Sequence, residues 1–230
     1  MELSPQEIDA IFLSIKVSIW SVVFSLLPAV YIAYILSRKN FWGRQALNVL
    51  VHIPLILPPV VTGYFLLIIF SRTGLIGRFL DTYFGITVAF HWFGAVLAAA
   101  IMSFPLMVRA FRLGFESVDP KLEVVAYSLG ANRFMIFLTI TLPLVIPALI
   151  TGAVLGFAKS MGEFGATITF VSNIPGQTQT VPSAIFEFLQ IPGNNFMTIR
   201  LVCLSLLISI VALYISEVLA SRLSSREHRE

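Results

Sequence analysis

Residues 119–143 read DPKLEVVAYSLGANRFMIFLTITLP, the longest stretch of this chain that is neither apolar enough to sit in lipid nor broken enough to be an ordinary loop. Asp119 followed by Pro120 predicts a helix start: a carboxylate N-cap, then a proline at the first helical position, where its missing N–H costs nothing. Leu122, Val125, Ala126 and Leu129 recur at intervals of three and four, which draws one apolar stripe along a short helix. Gly130 closes that helix as a C-cap, and Asn132 caps whatever follows. A short amphipathic helix between hydrophobic segments must hide its stripe against something, either the lipid interface or another protein.

The chain around this stretch reads as an all-α integral membrane protein. Of its 230 residues 57% are hydrophobic and 12% charged, with a mean hydropathy of +0.91, which argues against a soluble domain. The single cysteine, Cys203, excludes intrachain disulfides and cysteine-based metal sites. Apolar runs predict five spans in one transmembrane domain, at about 11–36, 47–70, 90–112, 134–161 and 199–219. Acidic residues (Glu2, Glu7, Asp9) precede the first, with no cleavage-site pattern, so it reads as a retained helix. Lys16, near its start, is placed to snorkel. The 38–44 turn, the 109–133 segment and the C-terminal tail, with Arg222, Arg226 and Arg229, hold ten of the fifteen lysines and arginines. The 162–198 stretch holds none. The positive-inside rule therefore predicts a cytoplasmic 119–133 segment and C-terminus, with the N-terminus outside. Five spans satisfy that alternation.

A second informative region is 159–183, KSMGEFGATITFVSNIPGQTQTVPS, too polar and too rich in glycine and proline to span. Irregular backbone at membrane depth survives only where it lines a cavity or is buried in protein. Glu163 is the sole carboxylate there, and an intramembrane ionisable residue is a functional candidate. The alternative is an i,i+4 ion pair with Lys159, a structural contact. Pro58 and Pro59 interrupt the second span. A half-helix starting at them would aim free N–H groups and a positive dipole end inward, which suits a dianion; a packing kink would use the same residues. Gly152-x-x-x-Gly156 allows close helix approach, within the subunit or between subunits. His52, His91 and His228 are isolated, and no metal site is expected.

The register Ala126, three residues, Gly130, nine residues, Ile140-x-Leu142-Pro143 resembles the EAA loop of ABC-importer permeases. The triplet itself reads Val124-Val125-Ala126, so only its last residue matches, and the carboxylate Glu123 lies one position early. GEFGATITF-x-x-NIPG-x-T-x-T at 162–180, LPPVV at 57–61 and MSFPLMVRA at 102–110 are similar to the molybdate branch of oxyanion importer permeases, close to the sulfate and tungstate permeases. The resemblance implies a bundle of about five helices whose 119–133 segment is a coupling helix docking into a groove on a separate ATPase subunit. Asp119, Glu123, Ala126, Leu129, Gly130, Ala131, Ile140, Leu142 and Pro143 are its coupling residues. Pro58, Pro59, Thr62, Gly162, Glu163, Phe164, Gly165, Ala166 and Thr167 are assigned to the translocation pathway, the two segments facing each other across the centre of a homodimer.

The implied partners are a second copy, two ATP-binding-cassette subunits that use ATP and magnesium, an extracytoplasmic oxyanion-binding protein and the bilayer. No cofactor is expected on this chain itself, and nothing points to nucleic acid. No lysine follows a glycine anywhere, so the chain has no P-loop; H-E-x-x-H and G-x-S-x-G are absent too. Three readings remain at this point: an ABC permease for molybdate or tungstate, a sulfate or thiosulfate permease, and an ion-coupled secondary transporter using Lys159 and Glu163. The third lacks the internal repeat usual in such transporters.

Overall fold

A computed structural model describes residues 3–193 and 195–227; Glu2, His228 and Arg229 lie outside the described residues. In chain order the helices are α1 (Pro5–Arg38), α2 (Arg44–Ile56), α3 (Pro59–Phe70), α4 (Leu75–Phe84), α5 (Trp92–Ser117) and α6 (Pro120–Ser128). They continue with α7 (Arg133–Ile136), a π turn over Phe137–Thr141, α8 (Leu142–Met161), α9 (Gly165–Val171), α10 (Val181–Leu189) and α11 (Asn195–Glu227). The described residues contain no strand.

Four helical segments are long and apolar enough to cross a membrane: Pro5–Arg38, Trp92–Ser117, Arg133–Met161 and Asn195–Ile215. The expected span at 47–70 is instead two helices, α2 and α3, bent by 108°. Two successive prolines explain the break. Pro58 and Pro59 donate no backbone hydrogen bond, and their rings crowd the preceding turn, so α2 stops at Ile56 and α3 restarts at Pro59. Counted as one, the bent pair brings the total to five.

The bundle is centred on α5, whose alanines and glycine allow neighbours to come close. Ala95, Ala98, Ala99 and Gly94 are buried near one end with Phe170 and Val171 of α9, and Met107, Val108, Phe111 and Phe115 near the other with Ala29, Ala33 and Leu36 of α1. The Gly152-x-x-x-Gly156 pair serves packing within this chain. A Cβ at Gly152 would sit 2.5 Å from the Phe111 ring, and one at Gly156 would sit 2.7 Å from Met107. Ser21 and Ser160 hydroxyls meet at 2.7 Å and join α1 to α8.

Candidate coupling and translocation sites

The local chemistry of α6 sets its limits. Asp119 accepts from the Lys121 N–H at 2.9 Å, and Asn132 accepts from the Met135 N–H at 2.8 Å to start α7. Between them Gly130 takes φ +89°. The Gly130 N–H donates to Tyr127 O at 3.0 Å and the Ala131 N–H to Ala126 O at 3.1 Å, the paired bonds of a Schellman cap. No residue of α6 is buried. Leu122 is 47% exposed, Val125 59% and Leu129 83%, so the apolar stripe lies open with Ala126 half-buried among it.

What holds the helix in place is Glu123, which shares its half-buried edge with Ala126. Its carboxylate accepts from Thr141 Oγ1 at 2.9 Å and pairs with the Arg38 guanidinium at 3.2 Å. Arg38 also donates to Val118 O at 3.0 Å, which ties the end of α1 to the residue before the cap. Ile140, Leu142 and Pro143 are not on the open face of α6; they shape the turn that presents Thr141. Pro143 has no N–H for Thr139 O and its ring crowds that carbonyl, so the helix loosens there into the π turn, where Leu142 N–H reaches back to Phe137 O.

The second constellation is the crossing of α3 and α9. A Cβ on Gly165 would lie 2.7 Å from Pro59 Cβ, and one on Gly63 would lie 2.5 Å from Ala166 O. Backbone therefore touches backbone. The Pro58–Thr62 and 162–167 segments come together within this chain, where Gly63 and Gly165 leave room for the close approach. Pro58, Pro59 and Gly162 are exposed at this crossing, Phe164 and Gly165 are half-buried, and Thr62, Glu163, Ala166 and Thr167 are buried.

Glu163 has its hydrogen-bonding capacity engaged. Lys159 Nζ sits 2.7 Å from Oε2, and the Ala166 N–H donates to Oε1 at 3.1 Å, so the side chain, 2% exposed, starts α9 and neutralises Lys159. The ion pair open to expectation from the sequence is formed. Thr167 Oγ1 lies within reach of Phe164 O and Glu163 O, at 2.9 and 3.2 Å. The Phe164 ring lies 5.1 Å from that of Phe186, tilted by 44°. The buried Thr62 hydroxyl has no hydrogen-bond partner among the described residues.

This chain matches, over residues 21–225, the family described as binding-protein-dependent transport system inner membrane component. The chain belongs to this family. It is 54% identical over 220 residues to the molybdenum transport system permease protein ModB of Escherichia coli, with 96% of each chain covered. The corresponding ModB of Haemophilus influenzae is 49% identical over 220 residues, again with 96% of each covered. Among solved structures, that of a bacterial alginate ABC transporter in complex with alginate pentasaccharide-bound periplasmic protein superposes with a TM-score of 0.76 at 17% identity. That match covers 96% of this chain and 80% of the other, and shows a shared fold. The permease is thus an all-helical, multi-pass inner membrane protein with the ABC-importer permease architecture.

One polar cluster of the permease escaped the sequence reading. At the end of the bundle away from α6, Glu7 is fully buried and accepts from Arg200 of α11 and from the Ser4 N–H and hydroxyl, the latter two at 2.8 Å. Ser14 accepts from the Val181 N–H at 2.7 Å, joining α1 to α10. Half of the Glu7 signal was in plain view: Ser4-x-x-Glu7 is a capping box. The other half was Arg200, the one charged residue in the apolar Asn195–Ile215 part of α11, which called for a buried carboxylate partner. Lys16 rests its ammonium 3.6 Å from the Trp92 ring centre rather than standing free. His52 and His91 make local contacts, with Asn48 O at 2.8 Å and the Phe93 N–H at 3.4 Å.

Proposed function

We propose that this permease carries molybdate, or the closely similar tungstate, into the cytoplasm as the membrane-spanning half of an ABC importer. Two copies form the pathway between them and alternate between outward and inward access. Two separate ATPase subunits dock on the exposed Leu122–Val125–Leu129 stripe of α6, and an extracytoplasmic binding protein delivers the ion. The observation that carries this reading is the stripe itself: a doubly capped helix, anchored along one edge by Glu123, Arg38 and Thr141, with Leu122, Val125 and Leu129 left open. An exposed apolar face on a rigid mount is what a partner's groove requires. Molybdate is favoured over sulfate by the half-identical, full-length similarity to molybdenum permeases.

The charge asymmetry supports α6 and the C-terminus on the cytoplasmic side and the N-terminus outside. Cysteines placed at Gly130 and at Gly176, in a background lacking Cys203, are expected to react with an impermeant thiol reagent from opposite sides. Labelling of both from one side would end the orientation. The functional test is reconstitution with the partner ATPase and binding protein, followed by molybdate-stimulated ATP hydrolysis and uptake. Hydrolysis that ignores molybdate, with no uptake, would sink the substrate assignment.

A further inference from the structure

The inward side of α6 closes a cavity of about 570 Å3 against the end of α1 and the α7–π turn region. Arg38, Lys39 and Arg133 line it, against the single carboxylate of Glu123, with Ser37 and Tyr127 adding hydroxyls. Two lining groups are buried without a partner among the described residues: Ser37 Oγ and Arg38 Nε. Buried donors in this state are uncommon in folded proteins and cost stability, so an occupant that accepts from them is favoured. Lys39 and Arg133 are exposed and form no ion pair among the described residues.

We propose that this cavity binds a tetrahedral oxyanion of the phosphate type, coordinated by Arg38 Nε, Lys39, Arg133 and the Ser37 hydroxyl. A guanidinium fork, a point ammonium and a hydroxyl together match the several acceptor oxygens of such a group. The shared chemistry admits two sources, a free inorganic oxyanion and the phosphate of an acidic lipid. The site sits at the end of a spanning helix, where basic pockets capture lipid headgroups. Its position gives it a consequence. An anion at Arg38 Nε shares the guanidinium with Glu123, which pairs through Nη2, and so weakens the tie that holds α6. This inference goes beyond the transport reading, since binding does not depend on what docks onto the outer face of α6.

The test uses the full chain in lipid nanodiscs. In discs of phosphatidylcholine alone, radiolabelled inorganic phosphate is measured by equilibrium dialysis. In discs that include phosphatidylglycerol, the lipid retained by the protein is counted by native mass spectrometry. Lys39→Gln and Arg133→Gln each are expected to weaken retention about tenfold, the effect of losing one charge-assisted contact. Arg133→Lys recovers much of it, and Arg78→Gln, exposed on α4 and away from the cavity, leaves it unchanged. Both tested side chains are exposed, so the fold is not at risk from their loss. Phosphate bound in neutral discs identifies a free oxyanion, and phosphatidylglycerol retained without phosphate binding identifies a headgroup; either supports the site. Failure to retain either probe, retention untouched by both substitutions, or equal loss in Arg78→Gln overturns it.

Discussion

The α6 helix and the α3–α9 crossing are both built on proline and glycine, and they put these residues to opposite uses. In α6, Pro120 and Gly130 stand at the ends, where one needs no hydrogen bond and the other takes φ +89°, and the apolar side chains between them are left facing outward. At the crossing, Gly165 faces Pro59 and Gly63 faces the Ala166 backbone, and the missing glycine side chains let the two helices meet closely. One region makes a surface by keeping its side chains free. The other makes a contact by having almost none. Substitutions should therefore act through partner binding at α6 and through packing or passage at the crossing.

The largest effect is expected at the crossing. Gly165→Asp and Gly165→Val place a Cβ 2.7 Å from Pro59, and overpacking of this kind costs about 1–3 kcal/mol locally; molybdate uptake should fall close to zero. Gly162 sharpens this result. A Cβ there meets nothing closer than 3.8 Å, so Gly162→Asp and Gly162→Lys test the pathway without the packing penalty. The carboxylate should block uptake of a dianion and the ammonium should do so less. Near-normal uptake in both Gly162 variants would place this segment outside the pathway and leave it a structural turn.

At α6 the expected losses are in docking. Leu129→Asp, at a position 83% exposed, should leave insertion and folding intact and weaken ATPase association by about tenfold or more, as for a central apolar contact. Co-purification of the two subunits measures this, and an unchanged yield of complex would move the docking face elsewhere. Gly130→Val forces a β-branched residue to positive φ, at a cost of about 1 kcal/mol or more. It should lower the ratio of molybdate moved to ATP hydrolysed while the chain still inserts. Normal coupling would show that the Schellman cap has no part in transmission. The smallest effect on transport is expected for Glu123→Gln, which takes the charge out of a largely buried ion pair, its Arg38 and Glu123 side chains 14% and 27% exposed, while its amide oxygen keeps the Thr141 hydrogen bond. A slightly lower melting temperature with a looser coupling ratio is the expected outcome, and a stability gain would mean that the pair strains the mount.

Much of α6 was legible because capping is local chemistry. Asp119, Gly130 and Asn132 each act on a backbone group within a few residues, so their roles follow from the order of the chain. The same holds for the interruption at Pro58 and Pro59, for the apolar runs, and for the register that carried the family resemblance. The 108° bend was not legible. Two prolines require a break in the hydrogen-bond ladder but leave its angle to whatever the two halves pack against.

The remaining features were decided by tertiary structure alone. Gly152 and Gly156 read equally well as a dimer face, and the rings and side chains of Phe111 and Met107 settle that they pack on α5. Glu163 read either as a functional carboxylate or as half of an ion pair, and the structure shows that the pair with Lys159 forms and that Oε1 accepts from the Ala166 N–H. Glu123 needed Arg38 and Thr141, and Glu7 needed Arg200, each from a distant part of the chain. A sequence states which charges exist and where helices begin and end. Which charges meet depends on how helices cross, and crossings are set by the small residues of several elements at once, a non-local condition that no single segment encodes.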